Sequence, residues 1–223
     1  MRIRPVGRHA LLLDFTAPPP EATDPDSPAP VEPVDPALVE GWRAELWRRR
    51  ERGDLVATEI VPAATTVLLD GVPDPAATAA GIVTWTPAPP TVTTAAGAEL
   101  VEVPVTYDGE DLPRVAAHWR TDVPSVVRRL TRTEFRVAFC GFAPGFGYLT
   151  GLPAELAVPR LASPRPRVPA GSVALAGPYA GIYPTASPGG WLLVGRTTLT
   201  LFDVRADPPA RLTPGTQVRL VPA

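Results

Sequence analysis

Four arginines, Arg160, Arg165, Arg167 and Arg196, fall between Ala143 and Phe202, where the only acid is Glu155. A chain of formal net charge −2 therefore carries one locally cationic stretch. A guanidinium is a planar fork of donors that matches carboxylate or phosphate, so this stretch is a candidate anion site. Interleaved with the arginines are Phe146, Tyr148, Tyr183 and Trp191, side chains suited to wall a ligand pocket. The Gly189–Gly190 pair permits close backbone approach, and its amides are candidates for an anion-binding concavity. These are the expected substrate- and anion-binding positions.

Groups able to do acid-base or covalent chemistry are scarcer. The chain has two histidines, His9 and His118. His118 sits among Val115, Ala116 and Trp119 in a predicted helix; it reads as a partly buried structural histidine, with general acid-base work as the alternative. Ser187 has no histidine near it in sequence, so a Ser-His-Asp triad is not expected. The single Cys140 lies in the apolar alternation of a predicted strand, reads as a buried, inert thiol, and excludes an internal disulfide. No Cys/His cluster has metal-ligand spacing, so no metal site is expected. No catalytic nucleophile is assigned.

All 21 basic residues are arginine. Without lysine there is no GxxxxGK[ST] phosphate loop, no Schiff-base lysine and no biotinyl-lysine carrier. Any ATP must be held by arginine, by backbone amides or by another chain. The small net charge gives no reason to expect nucleic acid or an anionic membrane as a partner. The opening apolar run is too short for a signal peptide, and no run approaches the ~20 residues of a membrane span, so the expected location is cytoplasmic.

The elements that must position these residues follow from pattern and punctuation. Ile3–Val6 and Ala10–Phe15 read as strands. Residues 16–36 follow, a proline-rich stretch with Glu21, Asp24, Asp26, Glu32 and Asp35 and no base, read as a surface loop or disordered insert. Asp35-Pro36 starts a helix that runs to Gly53, with Leu38, Trp42 and Leu46 on one face and Arg48, Arg49 and Arg50 at a solvated C-terminal end. Strands at 57–61 and 65–69 and a short helix at 75–80 complete an α+β domain, residues 1–98. A loose stretch at 86–99 leads to a strand at 100–107, helices capped by Asp111 and Asp122, and a strand at 134–142. Runs at 172–175, 181–183, 191–195, 198–202 and 217–221, split by Gly/Pro turns, predict a β-barrel or sandwich over residues 99–223. Between these strands GFAPGFGYLTGLP reads as a shaped loop, with Pro144-Gly145 at the centre of a type II turn that holds Phe142, Phe146 and Tyr148 at a rim. Ser187-Pro188-Gly189-Gly190 reads as a tight connection.

GFAPGFGYL, PRLASPRPRVPAGSVALAG, GIYPTASPGGWLLVGRT and LFD resemble, in order and spacing, the family of allophanate hydrolase subunit 1 and the kinase-inhibitor-like proteins, whose members include the B subunit of ATP-dependent 5-oxoprolinase. The resemblance is close over 101–203 and looser over 2–85. It implies a small α+β N-terminal domain and a cyclophilin-like C-terminal β-barrel. It also implies two companions, the C and A subunits of 5-oxoprolinase, and a joint reaction that opens the lactam of 5-oxoproline, a small cyclic amide, to glutamate at the expense of ATP. A cyclic amide is a poor electrophile, so the expected path phosphorylates the amide oxygen before water attacks, which requires cations for phosphoryl charge and donors for an oxyanion. Arg160, Arg165, Arg167 and Arg196 are the expected charge, and Phe146, Tyr148, Tyr183 and Trp191 the expected wall. One departure stands out: members of the family usually carry a histidine where this sequence has Leu130. The competing functions are inhibition of a sensor histidine kinase by binding, and a carboxyltransferase-type role on urea or allophanate.

Overall fold

The computed structural model describes residues 1–16, 34–87 and 100–223. Most of the proline-rich acidic stretch and of the loose 86–99 stretch lies outside the described residues. The chain divides into two compact units, Met1–Ala95 and Ala96–Ala223.

Three of the four α-helices among the described residues share one starting device. Asp35, Asp74 and Asp122 accept from the backbone N–H of Ala37, Ala77 and Ser125 at 2.9, 3.0 and 2.7 Å. A proline follows at the first or second helical position each time. The carboxylate satisfies a donor that has no intrahelical partner, and proline brings no such donor. These caps start α1 (Pro36–Glu51), α2 (Pro75–Ile82) and α4 (Val123–Arg132). α3 (Leu112–His118) has Asp111 at the same position, but that side chain makes no cap bond. The expectation that Asp111 caps its helix is therefore corrected; its carboxylate is used elsewhere.

In the first unit, β1 (Arg2–Val6), β2 (Ala10–Asp14), β3 (Glu59–Pro62) and β4 (Thr66–Asp70) form an antiparallel sheet in the order β1-β2-β4-β3. Leu11, Leu13, Val67 and Leu69 meet Trp42 and Leu46 of α1 in its core. Leu38 does not join them; it is exposed, and Val39 takes its place. Successive steps of four residues drift about 40° around a helix, so 39, 42 and 46 hold one face better than 38, 42 and 46. The arginines at the end of α1 are not simply solvated either. Glu45 is buried, and Arg48 and Arg49 both pair with it. Arg49 also lies 4.1 Å from the Trp85 ring centre, and Arg50 4.0 Å from that of Trp47.

The second unit is a sheet that nearly closes on itself. Its order is β12-β9-β10-β7-β6-β13-β5, made of β5 (Leu100–Val105), β6 (Phe135–Cys140), β7 (Gly147–Thr150), β9 (Ser172–Ala176), β10 (Tyr179–Ile182), β12 (Leu192–Arg196) and β13 (Gln217–Pro222). β13 and β5 pair in parallel, and the other neighbours are antiparallel. The two end strands meet where Thr106 and Arg196 exchange backbone hydrogen bonds of 2.9 Å in both directions. Val103, Val137, Leu149, Leu175, Ile182 and Val194 fill one face together with Val115, Val126 and Leu130 of α3 and α4.

Three short strands differ from the sequence expectation. β7 lies inside the stretch read as a loop, and β8 (Arg165–Val168) pairs with β11 (Ser187–Gly189) as a separate two-stranded ribbon. Their prolines and glycines hide them, because ribbon edges tolerate residues that central strands do not. Conversely 198–202 is no strand. There Phe202 makes an isolated bridge to Ala210, and the backbone turns back through Arg211 N–H to Leu201 C=O at 2.9 Å. No helix of the described residues is long and apolar enough to cross a membrane.

Candidate functional site

Alternation along β9 puts Val173 and Leu175 in the barrel core and Ala174 and Ala176 on the opposite face. That opposite face is lined with small residues, which leaves room for rings. A Cβ on Gly181 would lie 2.8 Å from Phe146 Cζ and 3.0 Å from Trp191 Cζ3, and one on Gly189 would collide with the Tyr183 hydroxyl. Gly189 and Gly181 thus act by making space for aromatic side chains.

On this shelf the four expected wall residues come together. Phe146 sits edge-on to Tyr148, Tyr183 and Trp191 at 5.1, 5.4 and 5.5 Å between ring centres, and Tyr148 lies 5.6 Å from Trp191. Such arrangements match the positive ring edge of one partner to the negative face of another. Phe139 stacks on Tyr148 at 4.3 Å, and Tyr179 approaches both edge-on, extending the cluster along β6, β7 and β10.

The expected turn delivers the exposed edge of the shelf. Phe146 N–H donates to Ala143 C=O at 2.9 Å around Pro144 and Gly145, whose φ is 83°, as a type II turn requires. One residue earlier, Ala143 N–H donates to Gly141 C=O at 2.8 Å across Phe142, whose φ is 68°. That is a γ-turn with positive φ, a strained conformation for an aromatic residue, costing on the order of 1–3 kcal/mol. Phe142 is nevertheless 60% exposed, with its ring against Phe146 and Tyr183.

The arginines separate into two groups. Arg165 donates to Asp111 Oδ2 at 2.7 Å and to Trp191 C=O at 3.2 Å, and its Nε pairs with Glu110 at 2.7 Å. Asp111 in turn clasps Leu193: its own N–H donates to Leu193 C=O at 3.0 Å, and its carboxylate accepts from Leu193 N–H at 2.7 Å. This clasp continues the barrel seam that Thr106 and Arg196 begin, and Arg196 pairs with Asp108 at 2.8 Å beside it. Two of the four arginines that make the stretch cationic in sequence are therefore neutralised in space by acids of residues 108–111. Arg160 and Arg167 remain exposed, and among the described residues neither has a carboxylate within salt-bridge distance.

Arg160 belongs to the shelf. Its Nε would lie 3.8 Å from a Cβ on Gly190, so it flanks the Gly189–Gly190 step whose other side holds Tyr183. Burial pushes the Tyr148 and Tyr183 phenols above the usual tyrosine range, and the Arg160 charge pulls both the other way. Both phenols are hydrogen-bond donors at neutral pH.

The other candidates lie elsewhere. His118 is exposed rather than partly buried, and its Nε2 is 2.9 Å from Ala157 C=O, next to the bond from Trp119 Nε1 to Leu156 C=O at 2.8 Å. The two side chains pin a 3-10 turn at Ala154–Leu156 onto the end of α3. Cys140 donates to Leu212 C=O at 3.2 Å, and burial pushes its thiol up, as befits an inert group. Ser187 Oγ is buried with no hydrogen-bond partner among the described residues, so no base stands beside it. Those residues also contain no cluster of three or more His, Cys, Asp or Glu able to hold a metal ion.

Over residues 1–212 the sequence matches the family described as carboxyltransferase domain, subdomain C and D. The chain belongs to this family. It is similar to the 5-oxoprolinase B subunit of Escherichia coli O157:H7, at 50% identity over 125 residues, 55% of this chain and 57% of that protein. Similarity to the 5-oxoprolinase B subunit of Bacillus subtilis (strain 168) is 45% over 125 residues, 55% of this chain and 52% of that one. The chain matches a little over half the length of these relatives. Among solved structures, TTHA0988 superposes with a TM-score of 0.70 and 30% identity over 100% of this chain and 40% of its own.

In this carboxyltransferase-family chain Leu130, where the resemblance implies a histidine, is fully buried in the barrel core and brings no polar group to that position. Sequence reasoning missed Asp108, Glu110 and Asp111, which lie more than fifty residues before the arginines they neutralise. It also missed Gly181, whose signal was present: a glycine at an outward-facing strand position marks a close approach.

Proposed function

We propose that this chain is the B subunit of an ATP-dependent 5-oxoprolinase, contributing a substrate-binding surface to a reaction completed by the companion C and A subunits. The observation that carries this reading is 50% identity over 125 residues to the 5-oxoprolinase B subunit of Escherichia coli O157:H7, in a family matched over residues 1–212. The shelf supports it chemically. A five-membered lactam is flat and mostly apolar, and suits packing against the ring surface that Phe142 and Tyr148 present at the edge of the cluster. Opening it adds water to the lactam carbonyl carbon and breaks the C–N bond, which frees the amino group of glutamate. Arg160 and the Tyr148 and Tyr183 hydroxyls are donors that can orient an acidic amide and stabilise negative charge.

The base and the nucleotide site are assigned to a companion. Asp108, Glu110 and Asp111 are engaged with Arg196, Arg165 and Leu193, and the His118 ring with Ala157. ATP does not fit the groups at hand. The chain has no lysine, and two of its four candidate arginines are committed to ion pairs. No step through ATP is assigned to this chain, which is expected to be inactive alone.

Coexpression with the companion subunits, followed by glutamate release from 5-oxo-L-proline with and without ATP and with each chain omitted in turn, tests the reading. Release that requires both ATP and this chain is the expected result. A folded, complete complex that releases no glutamate would overturn it in favour of the carboxyltransferase-type function that the family description suggests.

A further inference from the structure

We propose that the Arg160 guanidinium, together with the Tyr148 and Tyr183 hydroxyls at the Gly189–Gly190 step, is the subsite for the carboxylate of a small cyclic amide. The subsite would give the chain its preference for an acidic substrate. This deepens the 5-oxoprolinase reading and rests on it.

Arg160 is held from both sides. Two residues before it, Val158 and Gly177 exchange backbone hydrogen bonds of 3.1 and 2.7 Å; one residue after it, Leu161 N–H donates to Gly190 C=O at 2.7 Å. Its backbone is fixed while its side chain is exposed and, among the described residues, unpaired with any carboxylate. That differs from Arg165, whose donors are spent on Glu110, Asp111 and Trp191. A fixed backbone reduces the loop entropy lost when a ligand binds, and a free guanidinium retains a two-point fork for a carboxylate.

The hydroxyls complete the site. Tyr183 is buried with its ring against Gly189, and Tyr148 lies edge-on to Phe146 and Trp191. One arginine and two neutral donors balance a single negative charge. They suit a monocarboxylate better than a polyphosphate, which recruits several cations or a lysine-bearing loop. Beside them Phe142 and part of Tyr148 present ring surface to solvent, which suits a small flat heterocycle better than a long chain.

The experiment compares 5-oxo-L-proline with 2-pyrrolidinone, the same lactam without its carboxylate. Binding of each to the assembled complex is measured by calorimetry for the wild type, Arg160→Ala and Arg160→Lys, with glutamate release followed in parallel. The wild type is expected to prefer 5-oxo-L-proline. Arg160→Ala should reduce that preference roughly tenfold to hundredfold, the scale of one lost charge-assisted contact, and leave 2-pyrrolidinone binding unchanged. Arg160→Lys should recover part of it. A preference that persists in Arg160→Ala overturns the subsite, and glutamate release by the wild type would still uphold the function. A preference that collapses in a complex releasing no glutamate keeps the subsite and retires the reaction. Binding of neither compound by the wild type overturns both.

Discussion

The barrel seam and the aromatic shelf draw their arginines from the same short stretch and use them in opposite ways. At the seam, Arg165 neutralises an aspartate that is itself sewn to the backbone of Leu193, so its charge is spent on closing the sheet. On the shelf, five residues earlier, Arg160 is pinned only through its backbone, and among the described residues no carboxylate pairs with its side chain. The lesson is that clustered charge in a sequence identifies residues but not their employment. Employment depends on which acids the topology returns to them.

The largest effect should come from breaking the seam. Arg165→Ala leaves the Asp111 carboxylate buried beside Leu193 without its counter-charge, which is expected to cost about 3 kcal/mol, read as a lower urea midpoint. Adding Asp111→Asn should restore part of that loss by removing the stranded charge. An unchanged midpoint in Arg165→Ala alone would mean that Asp111 is solvated and that the seam does not depend on the pair.

Next in size is overfilling the shelf. Gly181→Ala places a methyl group 2.8 Å from Phe146 and 3.0 Å from Trp191, so rings must shift, at about 1–3 kcal/mol. Tryptophan fluorescence should report the displacement of Trp191, and an unchanged spectrum with unchanged stability would show that the face is looser than the ring contacts indicate.

Titration separates the regions further. The Tyr148 and Tyr183 phenols lie above the usual tyrosine range, mainly through burial, so the unfolded chain loses these protons first as pH rises. Their contribution to stability is full below the ordinary tyrosine pKa and is lost as pH climbs from there through the raised folded values. Urea midpoints followed into alkaline pH should therefore fall, and Tyr148→Phe should flatten the fall. In the first unit the sign reverses. Thr16 hydrogen bonds hold the Asp14 carboxyl below its usual range; burial pushes Glu45 up, but Arg48 and Arg49 outweigh it and lower it. The stability of that unit should hold above the usual carboxylate range and be lost as pH falls through the depressed values.

The smallest effect is expected at the outer end of the seam. Arg196 and Asp108 are paired in solvent, so Arg196→Ala should change stability by only about 0–1 kcal/mol, and less at high salt. A loss as large as that of Arg165→Ala would make the exposed pair, rather than the Asp111 clasp, the lock of the barrel.

Much of this was legible in advance because it was local. Asp35-Pro36 marked the start of α1 and Asp122 that of α4, alternation marked β6, and Pro144-Gly145 marked its turn. The grouping of the aromatic residues was legible too, since Phe146, Tyr148, Tyr183 and Trp191 pack on one face. What was not legible depended on long-range return: Asp111 leaving its helix to clasp Leu193, and Glu110 and Asp108 reaching Arg165 and Arg196. β8 and β11 stayed hidden for a different reason, because a short ribbon of Pro and Gly carries no hydrophobic period. The strained Phe142 turn also gave no sign in sequence, as nothing there distinguishes a φ of 68° from ordinary loop geometry.

The most direct test sets the two arginines side by side. Arg160→Ala and Arg165→Ala are each assembled with the companion subunits, and urea midpoint and KM for 5-oxo-L-proline are measured on the same preparations. Arg160→Ala should raise KM at an unchanged midpoint, while Arg165→Ala lowers the midpoint by about 3 kcal/mol equivalent. An Arg160→Ala protein that unfolds early and binds substrate normally would contradict the division of labour between seam and shelf.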